Sequence, residues 1–105
     1  MNPHPPTSEC VAFATKVLGD KWSPRLLFAL SRGHVRFCEL QSQGGGINPR
    51  TLSQRLLMLE ALGIIYKTAL PDSPSHSEYH LTPKGEDLIP ILRRMAAWGE
   101  KYASP

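Results

Sequence analysis

Apolar and polar residues change rhythm several times along the chain, and each change marks an element. Val11, Ala14, Val17 and Leu18 recur at helical spacing behind Ser8, a suitable cap, until Gly19 and Asp20 interrupt the pattern. A second helix is predicted from Ser23, with Pro24 in the first turn, Leu26, Leu27 and Leu30 facing inward, and an end at Gly33. Trp22 at the junction is expected to anchor in the core. "HVRF" then reads as a short β-like segment, "CELQSQ" as one or two helical turns, and "GGG" as a turn.

The clearest start signal follows. Asn48 is a good N-cap, Pro49 the preferred first residue, and Leu52, Leu56, Leu59 and Leu62 form one stripe before Gly63 closes the helix. At about 100° per residue, Arg50, Gln54 and Leu57 fall opposite that stripe, with Ser53 beside them. A short helix, a glycine turn and a longer helix with a polar outer face have the grammar of a helix-turn-helix. Beyond Gly63, "IIYKTAL", the turn cluster "PDSPS" and the alternating "HSEYHL" predict a two-stranded hairpin, the wing. Thr82 and Pro83 then open a last helix whose apolar side holds Leu88, Ile91, Leu92, Met95, Trp98 and Tyr102. Pro90 lies inside that stretch and must kink the helix or move its true beginning.

Totals narrow the possibilities. A chain of 105 residues, 41% hydrophobic and 20% charged, suits one small globular unit and not a disordered or fibrous chain. "MNPHPPT" is expected to be an extended, flexible arm over residues 1–7, leaving 8–105 as a single domain. With neither a signal-like apolar run nor a membrane-length segment, the chain is expected in the cytoplasm, away from membranes. Charge is uneven: residues 16 to 55 carry Lys16, Lys21, Arg25, Arg32, Arg36, Arg50 and Arg55 against Asp20 and Glu39 only, which points to an anionic partner for the first half. A biased but merely solvated surface accounts for the charge alone equally well.

The order of elements and the residues themselves carry a resemblance. "VLGDKWSPRLLFAL", "RFCELQ", "INPRTLSQRLLMLEALGII", "EYHLTPKGEDLIPIL" and "MAAWGEKY" are similar to the HxlR-type transcriptional regulators, a branch of the MarR-like winged-helix proteins. The resemblance runs from about residue 9 to residue 102 and implies an α+β, mainly helical winged helix-turn-helix. It further implies a homodimer, paired through added N- and C-terminal helices with Leu88, Ile91, Leu92, Met95, Trp98 and Tyr102 at the interface, that binds double-stranded DNA sequence-specifically. The helix from Pro49 would enter the major groove, the hairpin between Leu70 and His76 would reach a minor groove or backbone, and Lys21 and Arg36 match positions that commonly touch phosphate. The chain departs from the family pattern at Leu57, where relatives often carry a basic residue. It departs again in a wing holding Asp72, Ser73, Ser75 and His76 without arginine, so that wing contacts would be weaker or depend on protonation of His76. Cys38 replaces a more usual Asn, and Cys10 is one residue nearer to Trp22 than the sensor cysteine of some relatives.

Residue chemistry fits that frame. Arg50 and Gln54 can make paired hydrogen bonds to guanine and adenine edges, while Thr51, Ser53 and Arg55, on the flanks, suit phosphate or a thymine methyl, and Asn48 at the cap is counted with the DNA-binding residues. Lys21, Arg36 and Lys67 would add charge that positions the duplex, with His76 on the wing, whereas Arg25 and Arg32 are expected to serve the surface or partners within the chain. Cys10, near Lys16 and a helix start, is the candidate redox sensor; the plainer expectation is a buried, inert thiol, and for Cys38, beside Phe37 and Leu40, packing is favoured further. Trp98, Tyr102, Phe13 and Trp22 are expected in the core or a dimer interface. His4, His34, His76 and His80 lack metal-ligand spacing, and no phosphate loop, nucleophile motif or carboxylate pair suggests an enzyme or a cofactor. The competing reading is a winged-helix protein-interaction module using exposed Leu57 and Met58.

Overall fold

A computed structural model describes residues 5–70 and 73–103, with the side chains of residues 73–75 left out. The first four residues of the proposed arm and Asp72 of the wing, with the side chains of Ser73 and Ser75, therefore lie outside the described residues. Helices α1 (Ser8–Leu18), α2 (Ser23–Ser31), α3 (Phe37–Gln43) and α4 (Pro49–Ala61) precede strands β1 (Ile65–Leu70) and β2 (Ser73–Leu81), and α5 (Pro83–Glu86) and α6 (Ile89–Tyr102) close the chain. This is the winged helix-turn-helix order, with α3 and α4 as the helix pair and the hairpin as the wing.

The core explains the order. Leu26, Leu27 and Leu30 of α2, Leu40 of α3, Leu52, Leu56 and Leu59 of α4, Ile64 and Ile65 at the root of the hairpin, and Ile89 and Leu92 of α6 are buried in one cluster. Helix α4 is closed at both ends as its sequence requires. Asn48 Oδ1 accepts from the Thr51 amide at 2.8 Å, and Gly63, at φ 74°, ends the helix. The Gly63 amide donates to Glu60 O and the Ile64 amide to Leu59 O, the paired bonds of a Schellman turn, with Leu59 and Ile64 both buried beneath it. The glycine turn between α3 and α4 places Gly45 and Gly46 at φ 71° and 94°, where a side chain would be strained.

The two strands pair antiparallel, Ile65 opposite Leu81 and Lys67 opposite Tyr79, with an irregular register between Ala69 and Leu70. The β-like segment before α3 joins them: Arg36 bridges Glu78, and the Tyr79 amide donates to Val35 O at 2.9 Å.

Local details correct several expectations. Thr7, not Ser8, caps α1, its hydroxyl accepting from the Cys10 amide at 3.3 Å while its own backbone is extended. Pro90 moves the start of the final helix: it occupies the first turn of α6, where its missing N–H costs no hydrogen bond, and Thr82 caps only the short α5. Leu88 and Leu92, expected at a dimer interface, belong to this chain's own core, Leu92 being 4% exposed and Leu88 packed against it. Both lie near the start of α6, where the helix still crosses the buried layer; Ile91, Met95, Trp98 and Tyr102 are exposed. Phe13 is exposed on α1, while Trp22 is half-buried against the core. Among the described residues, no helix is long and apolar enough to cross a membrane.

Asp20, read from the sequence only as a helix breaker, organises the α1–α2 corner. Its carboxylate accepts from the Trp22 amide at 2.8 Å, the Ser23 amide at 2.7 Å and the Ser23 hydroxyl at 2.7 Å. Partial burial pushes this carboxyl up, but those hydrogen bonds, led by the Ser23 hydroxyl and helped by Arg55, outweigh it and hold the group below its ordinary range. A lowered folded pKa means that the contribution is complete above the unfolded carboxylate pKa, about 3.9, and is lost as pH falls through the folded value.

Asp20→Ala is expected to cost about 1–2 kcal/mol near neutral pH, by analogy with lost helix caps, and urea unfolding of the variant and the parent should converge as pH falls below about 4. Leu92→Ala should cost about 2–5 kcal/mol in the same assay, as buried leucines do, and a cost near zero would return Leu92 to the surface.

Candidate nucleic-acid interface

Burying Leu52, Leu56 and Leu59 turns the opposite face of α4 outward, and Arg50, Ser53, Gln54 and Leu57 are all exposed there. The helix enters this face by its capped N-terminus. Asn48 is exposed, but its side-chain oxygen is committed to the Thr51 amide, so its first role is to close the helix; Thr51 is half-buried.

Next to α4 lies a concavity lined by Arg36, Phe37, Cys38, Ser53, Lys67, His76, Ser77 and Tyr79. Arg36 before α3, Ser53 on α4, Lys67 on β1 and His76 on β2, far apart in the sequence, thus share one groove. Register explains the convergence: alternate residues of a strand point to the same side, so Lys67 follows buried Ile65 onto the α4 side of the hairpin. Glu39 Oε1 accepts from the Arg36 and Val35 amides at 2.9 and 3.1 Å, which pins the backbone from which the Arg36 side chain extends. The Arg36 amide bond, with the more distant Val35 amide, holds the Glu39 carboxyl below its ordinary range despite some desolvation. Tyr79 lies in the groove floor, and its phenol is pushed up, first by burial and then by the charge of Glu60.

Not every predicted residue joins this surface. Arg55 sits beside the buried stripe instead of facing outward: Nη1 is 3.9 Å from Asp20 Oδ2 and 3.6 Å from Met58 Sδ, and Nε is buried without a partner among the described residues. Arg55 therefore ties α4 to the α1–α2 corner, in place of the flanking position expected for it. Lys21 Nζ stacks over the Trp22 ring, 4.5 Å from its centroid. Arg25 is exposed on α2, with its guanidinium alongside Gly45.

Both cysteines are exposed, against the expectation of buried thiols. On α3 the inner face is taken by Leu40 and half-buried Phe37, which leaves Cys38 outside; on α1 only Val17 is buried, so the first turn stands clear of the core. The Thr7 hydroxyl donates to Cys10 Sγ at 3.4 Å, and this bond, with the Thr7 backbone contact, lowers the thiol pKa.

Sequence reasoning missed Asp20, Tyr79 and Lys84. Lys84 Nζ donates to Leu62 O at 2.7 Å, covering a carbonyl at the C-terminus of α4, and its only sequence signal was a lysine next to a helix cap.

Comparison with known proteins agrees with this fold. The HxlR-like helix-turn-helix family matches residues 17–105. The HTH-type transcriptional regulator YvaP of Bacillus subtilis is 34% identical over 92 residues, covering 88% of this chain and 85% of YvaP. Among solved structures, the redox regulator HypR in its reduced form superposes with a TM-score of 0.82 at 35% identity, over 90% of this chain and 93% of HypR. A MarR-family transcriptional regulator from Enterococcus faecalis V583 superposes with a TM-score of 0.79 at 28% identity, over 97% of this chain and 93% of that one. With its fold, its outward-facing α4 and a family match over most of its length, the chain belongs to the HxlR-like helix-turn-helix transcriptional regulators.

Proposed function

We propose that this chain binds double-stranded DNA sequence-specifically as a homodimer on a palindromic operator. The observation that carries the reading is the outer face of α4, where Arg50, Ser53 and Gln54 are exposed in one line beside the groove of Arg36, Lys67 and His76. In this reading α4 lies in the major groove, Arg50 and Gln54 hydrogen-bond to base edges, and Ser53 and Thr51 serve phosphate or sugar. Lys67, Arg36, Lys21 and His76 set the duplex in register by charge, within the cytoplasm and without a cofactor.

Pairing is supported by what α1 and α6 leave uncovered. Phe13 and Val11 on α1, and Ile91, Met95, Trp98 and Tyr102 on α6, are exposed, Trp98 at 68%. Fully burying one such side chain stabilises by about 1.5–3 kcal/mol, so a second copy is the natural cover for these faces. Two copies would present their α4 helices to half-sites about one helical turn apart.

A regulatory role for Cys10 has its own support: the thiol is exposed, its pKa is lowered by Thr7, and HypR is described as a redox regulator. If Cys10 is the sensor, diamide should release DNA from the parent and leave Cys10→Ser bound.

The main test selects duplexes from a random pool and titrates the best of them by gel shift. Arg50→Ala and Gln54→Ala should each lose about 1–3 kcal/mol of discrimination at particular base pairs. Lys67→Ala should weaken all duplexes alike and flatten the salt dependence by about one unit per protomer. If no sequence is enriched and the variants bind like the parent, the reading fails.

Trp98→Glu is expected to give a monomer by sedimentation at concentrations where the parent is a dimer, and to weaken operator binding at least tenfold, equivalent to about 1.4 kcal/mol.

A further inference from the structure

The one large apolar side chain exposed on α4 is the feature that the proposed polar readout leaves unexplained. Leu57 is 64% exposed. It lies seven residues after Arg50, which at about 100° per residue brings it within about 20° of the same direction and about 10 Å further along the helix axis. Ser53 and Gln54 occupy the turn between them and are exposed as well. Leu57 also borders a concavity shared with Ser53, Glu60, Lys67 and Tyr79, between α4 and the hairpin. It is thus the far end of the same reading stripe, set beside the groove and not turned away from it.

The surroundings of Leu57 decide what it meets. Its helical neighbours at three and four residues are Gln54, Ser53, Glu60 and Ala61, so its frame is polar except for Ala61. Met58, which would extend an apolar patch, is half-buried against the core and lies 3.6 Å from Arg55 Nη1. A protein-docking surface gathers contiguous apolar area around its anchors, and that area is missing around Leu57. The major-groove edge of DNA has the matching chemistry: hydrogen-bonding groups throughout, and one apolar group, the 5-methyl of thymine.

Resting on the reading of α4 as a major-groove helix, we propose that Leu57 is a specificity-determining residue that packs against the 5-methyl group of a thymine in each half-site. Leucine here replaces electrostatic grip with base selection. It brings no charge to a phosphate, but it makes one position of the operator sensitive to a methyl group that contributes nothing to base pairing.

The test uses the duplex obtained by selection and replaces each thymine in turn by deoxyuridine, which removes the methyl and keeps every hydrogen-bonding group. One symmetric position is expected to weaken the parent about fourfold when changed in one half-site and about fifteenfold in both, the worth of burying one methyl-sized group at each. In Leu57→Ala the same replacements should leave affinity unchanged, while deoxyuridine elsewhere acts as in the parent. Leu57→Met should keep part of the sensitivity. Leu57→Lys should lose it and steepen the salt dependence by about one unit per protomer. A Leu57→Ala protein that retains every deoxyuridine penalty of the parent overturns the inference while leaving specific DNA binding intact. A pool in which no sequence is enriched overturns the broader reading and this inference with it.

Discussion

Burial of Leu52, Leu56 and Leu59 against the leucines of α2 and α3 governs what the rest of the molecule can present. A helix has a single rotation about its axis, so placing these residues in the core leaves Arg50, Ser53, Gln54 and Leu57 no place but outside. A slip of one residue would turn α4 by about 100°, exposing leucines worth about 1.5–3 kcal/mol each and driving a guanidinium toward an apolar layer. The arrangement of the outer face is therefore specified by the inner one. Arg55, at the border between them, reinforces the setting by reaching the Asp20 corner.

Both ends of the helix are fixed with similar economy. Asn48 closes the first turn and Gly63 the last, and Thr82 and Lys84 return from beyond the hairpin to the same C-terminus. The Thr82 hydroxyl lies 2.6 Å from Gly63 O and 3.0 Å from Ile64 O while accepting from the Gly85 amide, so the strand that leaves α4 and the strand that returns are held at one point. Lys67 and His76 are carried on a hairpin rooted there, which sets the distance from the wing to α4 by hydrogen bonds at its base.

Helix α4 was legible to its first residue because all of its signals are local: a cap, a proline, a leucine stripe and a terminal glycine. The hairpin was legible from a β-rich run, a turn cluster and the alternation of "HSEYHL", and "HVRF" read as β-like, although its bridge from Arg36 to Glu78 was not foreseen. The errors share a different cause. Periodicity reveals which side of a helix is apolar but not which body covers it, so Leu88 and Leu92 were grouped with Ile91, Met95, Trp98 and Tyr102 although the first pair meets this chain's own core. The two thiols were misplaced for the same reason: Phe37 and Leu40 already fill the inner side of α3, which leaves Cys38 outside, and the first turn of α1, with Cys10, stands clear of the core. Asp20 and Arg55 were missed as a pair because they lie in separate elements joined only by the tertiary fold. Their contact has no spacing in the sequence from which to read it.

The division within α6 would link the proposed pairing to the proposed readout. Its first turns place Ile89 and Leu92 in the core, and its later turns expose Met95, Trp98 and Tyr102, so one rigid helix is anchor at one end and platform at the other. Helix α2 packs against both α6 and α3, and its leucines share the core with those of α4. In the proposed dimer, the orientation set at the platform would pass through close-packed side chains to the two α4 helices without a flexible joint, and packed interiors transmit displacement instead of absorbing it. The spacing of the half-sites would then be a property of the core and not of a linker. A change that loosens the α2–α6 contact should broaden the accepted spacing before it abolishes binding, because each α4 keeps its own reading face while the pair loses its fixed separation.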